Sequence, residues 1–172
     1  MRRNKRFNVQ RTALCGLLTA MMLVLGFIES LIPVAAGVPG IKLGLSNGVL
    51  LFALYMLDTP TAFVLMIVKV VLSGLMFGGV SAMMYAMAGG VLSTLCMILL
   101  KRLGFHIIVV SMVGAVMHNV GQVLLAMLML QTSQLVYYMA ILMLVGLGTG
   151  AVTGVAANST IKHVKKLNLK FK

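Results

Sequence analysis

A lysine in the middle of an unbroken apolar run is the residue here that most needs a chemical reason. Lys69 lies about eight residues from either end of the run 61–77, or about 12 Å from the nearer edge at 1.5 Å per helical residue. Its stem is too short to carry the ammonium that far. A central charge costs about 2.5–3.5 kcal/mol on insertion scales, so Lys69 is expected to face a cavity, an acid or a ligand. A tilted or shallow helix is the plainer alternative. Glu29 and Lys42 flank a break at 30–40 that contains Pro33, Gly37, Pro39 and Gly40, with Ser46 and Asn47 a turn beyond Lys42. They read as an interfacial ion pair, which contributes little alone. They also read as groups that an irregular segment holds over a pocket, since such backbone is tolerated at membrane depth where it lines a cavity. Farther on, His118, Asn119 and Gln122 follow Ser111 and Ala115, and positions 111, 115, 118 and 122 form one stripe at 4-3-4 spacing. Their amide and imidazole groups suit ligand lining and interhelical hydrogen bonding alike.

The chemistry these residues share is anion recognition. Lys42 and Lys69 outnumber Glu29, and a buried positive charge without its counter-charge is costly, so the set invites a carboxylate or phosphate. The candidate binding set is Glu29, Lys42, Asn47, Lys69, His118, Asn119 and Gln122. No catalytic group and no cofactor is implied. Three histidines, one of them in the basic tail as His163, with no thiolate cluster, do not make a metal site.

The elements that must position these groups follow from composition. Of 172 residues, 61% are hydrophobic and 9% charged, against about 45–50% and 25% in soluble domains. That balance excludes a soluble enzyme, a secreted domain and a disordered tail, and it predicts an integral membrane protein of one domain, 1–172. Six apolar spans are expected, at about 12–28, 43–57, 61–77, 80–100, 103–130 and 135–161. The second is short for a bilayer core of about 30 Å. Asp58 before Pro60 reads as the N-cap of the third. The net charge of +12 is concentrated at Arg2, Arg3, Lys5, Arg6 and Arg11, at Lys101 and Arg102, and at Lys162, Lys165, Lys166, Lys170 and Lys172. These clusters fall on one side of a six-span chain, so both termini, 1–11 and 162–172, are expected in the cytoplasm. The basic residues flank apolar spans instead of forming a folded basic domain, which argues against nucleic acid. The first span follows a basic stretch like that of a signal peptide, but its apolar run is long and more spans follow, so an uncleaved helix is expected. Cys15 and Cys96 lie inside apolar runs and read as free buried thiols.

Small residues four apart mark faces where helices approach closely. Gly146, Gly150 and Gly154 form one such strip, Ala82, Ala86 and Gly90 another, and Gly16 with Ala20 a third. Packing inside the bundle and docking of a membrane partner both remain open for them.

The same residues carry a resemblance. Glu29-Ser-Leu-Ile-Pro33, Pro39-Gly40-Ile-Lys42-Leu-Gly44-Leu-Ser-Asn47, Phe77-Gly-Gly79, Ala88-Gly-Gly90 and His118-Asn119-Val-Gly121-Gln122 together resemble the bacterial Gx transporter family. That family is often labelled heptaprenyl diphosphate synthase component I, and it is similar to the S components of energy-coupling factor (ECF) vitamin transporters. The resemblance covers nearly the whole chain. It implies a six-helix bundle in the cell membrane, a substrate pocket near the outer face, and docking on a membrane coupling subunit served by cytoplasmic ATPases. The family often carries Arg where this chain has Lys69, and the two differ in bidentate anion binding. Gly16 stands where the docking motif of S components has Ala.

The synthase label meets the residues directly. Prenyl diphosphate synthases hold magnesium and diphosphate with clustered aspartates. This chain has one Asp, one Glu and no Walker-type loop. It is therefore expected not to be an enzyme by itself. It reads as a substrate-binding subunit for a small, anionic, vitamin- or cofactor-like molecule, or as a membrane accessory of an isoprenoid or redox system.

Overall fold

Proline at the second position of a helix and an aspartate just before it are start signals, and Asp58 starts α3 in this way. The computed structural model describes residues 9–31 and 45–166. In it the Asp58 carboxylate accepts the Thr61 N–H at 2.8 Å and caps α3, Thr59–Ser73. Before it come α1, Val9–Leu31, and α2, Leu45–Met56; after it come α4, Gly79–Arg102, α5, Ile107–Leu130, and α6, Leu135–Lys166. No strand occurs among the described residues. The proline–glycine break and Lys42 lie outside them.

Several boundaries depart from expectation, each for a local reason. α1 and α6 run past the expected edges into polar sequence, because helix continues for as long as nothing breaks it. α5 begins four residues late: Gly104 takes φ +81° and turns the chain, and the His106 side chain accepts the Ile108 N–H as a cap. The third span does not continue as α-helix to Phe77. It ends at Ser73 in a π-helical turn, Gly74–Gly78, and Gly79 at φ +73° then reverses the chain into α4. A side chain on Gly74 would run into Met83, and one on Gly90 into Met66. Contacts that converge on the turn in this order make α3 and α4 an antiparallel hairpin.

Four helical stretches are long and apolar enough to cross a membrane, the α3–α4 hairpin counted as one stretch of 44 residues, and α2 is a shorter apolar helix. The outside of the bundle is apolar too. Leu75, Leu128, Leu144 and Val152 are each about 70% exposed, as befits helices solvated by lipid. The protein is membrane-embedded. α2, at about 18 Å too short to span alone, takes the centre: Leu50, Leu51, Ala53 and Leu54 are buried against α1, α3, α5 and α6.

The described members of the basic clusters gather at one end of the bundle. The Arg11 guanidinium pairs with the Asp58 carboxylate and donates to the Thr61 hydroxyl at 2.6 Å. The Lys101 ammonium, at the close of α4, donates to the Leu54 carbonyl and stands 5.2 Å over the Tyr55 ring. Leu14 near the start of α1 and Thr160 near the end of α6 line one groove.

Candidate functional site

At the other end of the bundle the polar residues of separate helices converge. α1 contributes Glu29, the first turn of α2 contributes Ser46 and Asn47, α3 contributes Lys69 and Ser73, and α5 contributes His118, Asn119 and Gln122. With Thr149 of α6 they surround a cavity of about 70 Å³, room for a few waters or one small polar group. Six of the seven residues singled out in the sequence thus line one space; the seventh, Lys42, lies outside the described residues.

A hydroxyl joins the charges of this cavity. The Lys69 ammonium donates to Ser46 Oγ at 2.8 Å and to Asn47 Oδ1 at 3.4 Å. Ser46 Oγ in turn points its hydrogen at Glu29 Oε2, 3.5 Å away. Glu29 is 4% exposed and Ser46 equally buried. The first turn of α2 lies beside the ammonium, so its N–H groups add partial positive charge at the same point. Across the cavity, His118 Nε2 and Gln122 Nε2 lie 3.0 Å apart.

Two α5 residues divide their work. Asn119 lines the cavity, but its Nδ2 donates to the Leu142 carbonyl at 2.8 Å and ties α5 to α6. Ser111, one turn below Ala115 on the expected stripe, does not reach the cavity; its hydroxyl meets that of Thr153 at 3.2 Å inside the helix interface. The stripe therefore lines the space with Ala115, His118 and Gln122 and packs with Ser111.

Close helix crossings hold the walls in place. A Cβ on Gly89 of α4 would collide with the His118 carbonyl and come within 2.8 Å of Gln122 Cγ, and one on Gly121 would come within 2.8 Å of Gly89 Cα. The α4–α5 approach that sets His118 and Gln122 needs glycine at both positions. On the other side of α5, a Cβ on Gly150 would lie 2.7 Å from Met112 Cα and one on Gly154 would lie 2.8 Å from Ser111 Cβ. The Gly146, Gly150 and Gly154 strip is accordingly a contact of α6 with α5. Gly16 and Ala20 are exposed, and a Cβ on Gly16 would meet nothing within 4 Å.

A family model described as heptaprenyl diphosphate synthase component I matches residues 18–160. The chain belongs to that family. The match takes in every described residue that lines the cavity, from Met22 to Thr149. Comparisons with curated proteins and with solved structures find no match.

In this component I chain the cavity also uses residues that gave little signal beforehand. Ser46 stood beside Asn47 as a companion and turns out to bridge Lys69 and Glu29. Thr149 gave none, since its hydroxyl donates to the Val145 carbonyl at 3.0 Å as any helical threonine does. Met22, Gly26, Val70, Phe77 and Ala86 complete the wall, and only the packing of α1, α3, the π-helical turn and α4 makes them neighbours of the polar set.

Proposed function

We propose that this component I chain is the ligand-binding membrane subunit of a transport system organised like an ECF transporter, and that it binds a small molecule with an anionic group. The observation that carries the reading is the cavity: an ammonium, an imidazole, three side-chain amides and a carboxylate from four helices meet inside an otherwise apolar bundle. Such groups are retained in hydrocarbon where they serve a ligand or pathway, and small-molecule sites combine apolar walls with a few convergent polar groups. Lys69 and the first turn of α2 anchor the anion, while Asn47, Asn119 and Gln122 orient it. Glu29, reached through Ser46, holds Lys69 when the site is empty. The role is recognition and not catalysis.

In this reading six helices cross the bacterial cell membrane with both termini in the cytoplasm. The gathering of Arg11, Lys101 and Arg102 with the end of α6 at one end of the bundle supports that orientation. The cavity then faces outward. The exposed strip of Gly16 and Ala20 docks a membrane coupling subunit, and cytoplasmic ATPases drive the cycle.

The family description favours a second reading, in which the chain is a membrane accessory that works beside a soluble synthase subunit. Extraction in native membrane patches, followed by identification of what co-purifies, separates the two. Recovery with a coupling subunit and ATPases is the expected result; stoichiometric recovery with a soluble prenyl synthase supports the alternative.

The cavity itself is tested by calorimetric titration of the detergent-purified chain with inorganic phosphate and with short carboxylates. Lys69→Met should fold and bind these anions at least tenfold more weakly, since a hydrogen bond to a charged group contributes about 1.5–3 kcal/mol and about 1.4 kcal/mol is a factor of ten. Equal affinity of the two proteins would assign Lys69 to structure.

A further inference from the structure

The polar cavity has a neighbour. A second space of about 200 Å³ lies between α1, the π-helical turn and the first turns of α4. It shares four wall residues with the polar cavity, namely Gly26, Ser73, Phe77 and Ala86, so the two chambers lie side by side. Their walls differ in character. The inner chamber carries Glu29, Lys69, His118 and Gln122; the side chamber adds Gly74, Gly78, Ala82 and Met83. Ser73, the hydroxyl common to both, is already donating to the Val70 carbonyl at 3.1 Å, so the side chamber has no charged group and no uncommitted side-chain donor among its described residues.

Three features make the side chamber a built space. π-helical turns inside α-helices occur frequently at functional sites, and this one carries Phe77, a wall residue of both chambers. Phe77 there meets Phe27 of α1, with ring centroids 5.6 Å apart and planes at 60°, a geometry that aromatic pairs favour. Finally, Gly26 faces open space, where a Cβ would meet nothing within 4 Å, although glycine is a poor residue for the interior of a helix. For scale, an apolar cavity of about 150 Å³ accepts a benzene ring.

We infer that the ligand of this protein is amphipathic: a small anionic head occupies the chamber of Lys69, Ser46 and His118, and an apolar ring or short branched chain occupies the chamber of Gly26, Gly74, Ala82 and Met83 behind the Phe27–Phe77 pair. The inference rests on the anion-binding reading of the inner chamber and adds the chemical class of the remainder of the ligand. A head group alone leaves the side chamber empty, and an apolar molecule alone leaves Lys69 and Glu29 desolvated. Only a molecule with both parts fills the two chambers.

The chain contains no tryptophan, so Phe77→Trp supplies a single fluorescent reporter in the wall between the chambers. That protein is titrated in detergent with inorganic phosphate, phenyl phosphate and isopentyl phosphate. Both organic phosphates should bind at least tenfold more tightly than inorganic phosphate. Adding Ala82→Leu, at a wall residue of the side chamber that does not line the polar cavity, should abolish that gain and leave inorganic phosphate binding within twofold. Adding Lys69→Met should weaken all three probes together. Calorimetry on the protein that retains Phe77 checks that the reporter has not created the preference. Equal binding of phosphate and its organic esters, or a gain that survives Ala82→Leu, overturns the amphipathic ligand while leaving the anion site standing. Failure of every probe to bind overturns both.

Discussion

Asp58 shows how much one acid can organise in a chain that has two. Its carboxylate caps α3 and also pairs with Arg11 of α1, which ties two helices to one turn. Burial pushes its pKa up, but the hydrogen bonds from the Thr61 hydroxyl and N–H and from Arg11, together with the charge of Arg11, win and leave it below its ordinary value. A group whose folded pKa is lowered contributes stability that is fully present above its unfolded value, near pH 4, and is lost as pH falls through the folded value. Thermal unfolding in detergent should therefore show Asp58→Ala losing about 1 kcal/mol at pH 7, a deficit that shrinks below pH 4. Asp58→Asn keeps a capping oxygen and removes the charge, so it should fall between the two. The pair with Arg11 is partly exposed, 40% and 42%, so the larger share is assigned to the cap.

At the scale of the element, glycines separate contact faces from bare ones. Gly150→Leu drives a side chain into the backbone of Met112 and Ser111, and overpacking of this kind costs about 1–3 kcal/mol. Its melting temperature in detergent should drop, or the protein should fail to fold. Gly16→Leu meets open space and replaces glycine with a better helix former, a gain of up to about 1 kcal/mol. Its melting temperature should not fall, while recovery of a membrane partner should, because the proposed docking face is then covered. A Gly16→Leu protein that keeps its partner would move the interface elsewhere. The groove of about 430 Å³ between α1, α2 and α6 is the adjoining place to look.

For the molecule as a whole, the proposed arrangement takes its orientation from the basic residues and its loop sidedness from a count of six spans. A cysteine at Ser133, in the α5–α6 loop, and one at Lys165, near the end of α6, each introduced after Cys15 and Cys96 have been replaced by alanine, should react with a membrane-impermeant maleimide from opposite faces. Ser133→Cys should label from outside intact cells and Lys165→Cys only after the membrane is opened. Labelling of both from one face would refute the six-span arrangement. The same preparation supports the native-patch extraction, so topology and partner are read from one material.

Much of the architecture was legible because a bilayer makes composition decisive. Apolar runs of adequate length, their breaks at Asp58, Lys101 and Gln131, and the distribution of Lys and Arg depend on local sequence and on the cost of charge in hydrocarbon. The unusual residues Glu29, Asn47, Lys69, His118, Asn119 and Gln122 were legible for the same reason, since each is expensive where it sits. Spacing could not say which neighbour a face would meet. The Gly146, Gly150 and Gly154 strip announces a close approach, but only the packed bundle shows that α5 is what approaches, and that Asn119 is partly committed to that contact. Ser46 and Thr149 carry side chains that are cheap to bury in a helix, so Ser46 stood only as a companion of Asn47, and nothing marked Thr149, until α2 met α3 and α6 met α5. The π-helical turn at Gly74–Gly78 and the chamber behind Phe27 and Phe77 were least legible of all. They arise from Gly74 and Gly90 letting α4 close upon α3, and from α1 reaching the turn across some fifty residues of chain. Those are contacts between distant segments, and their energy exists only once the helices have packed.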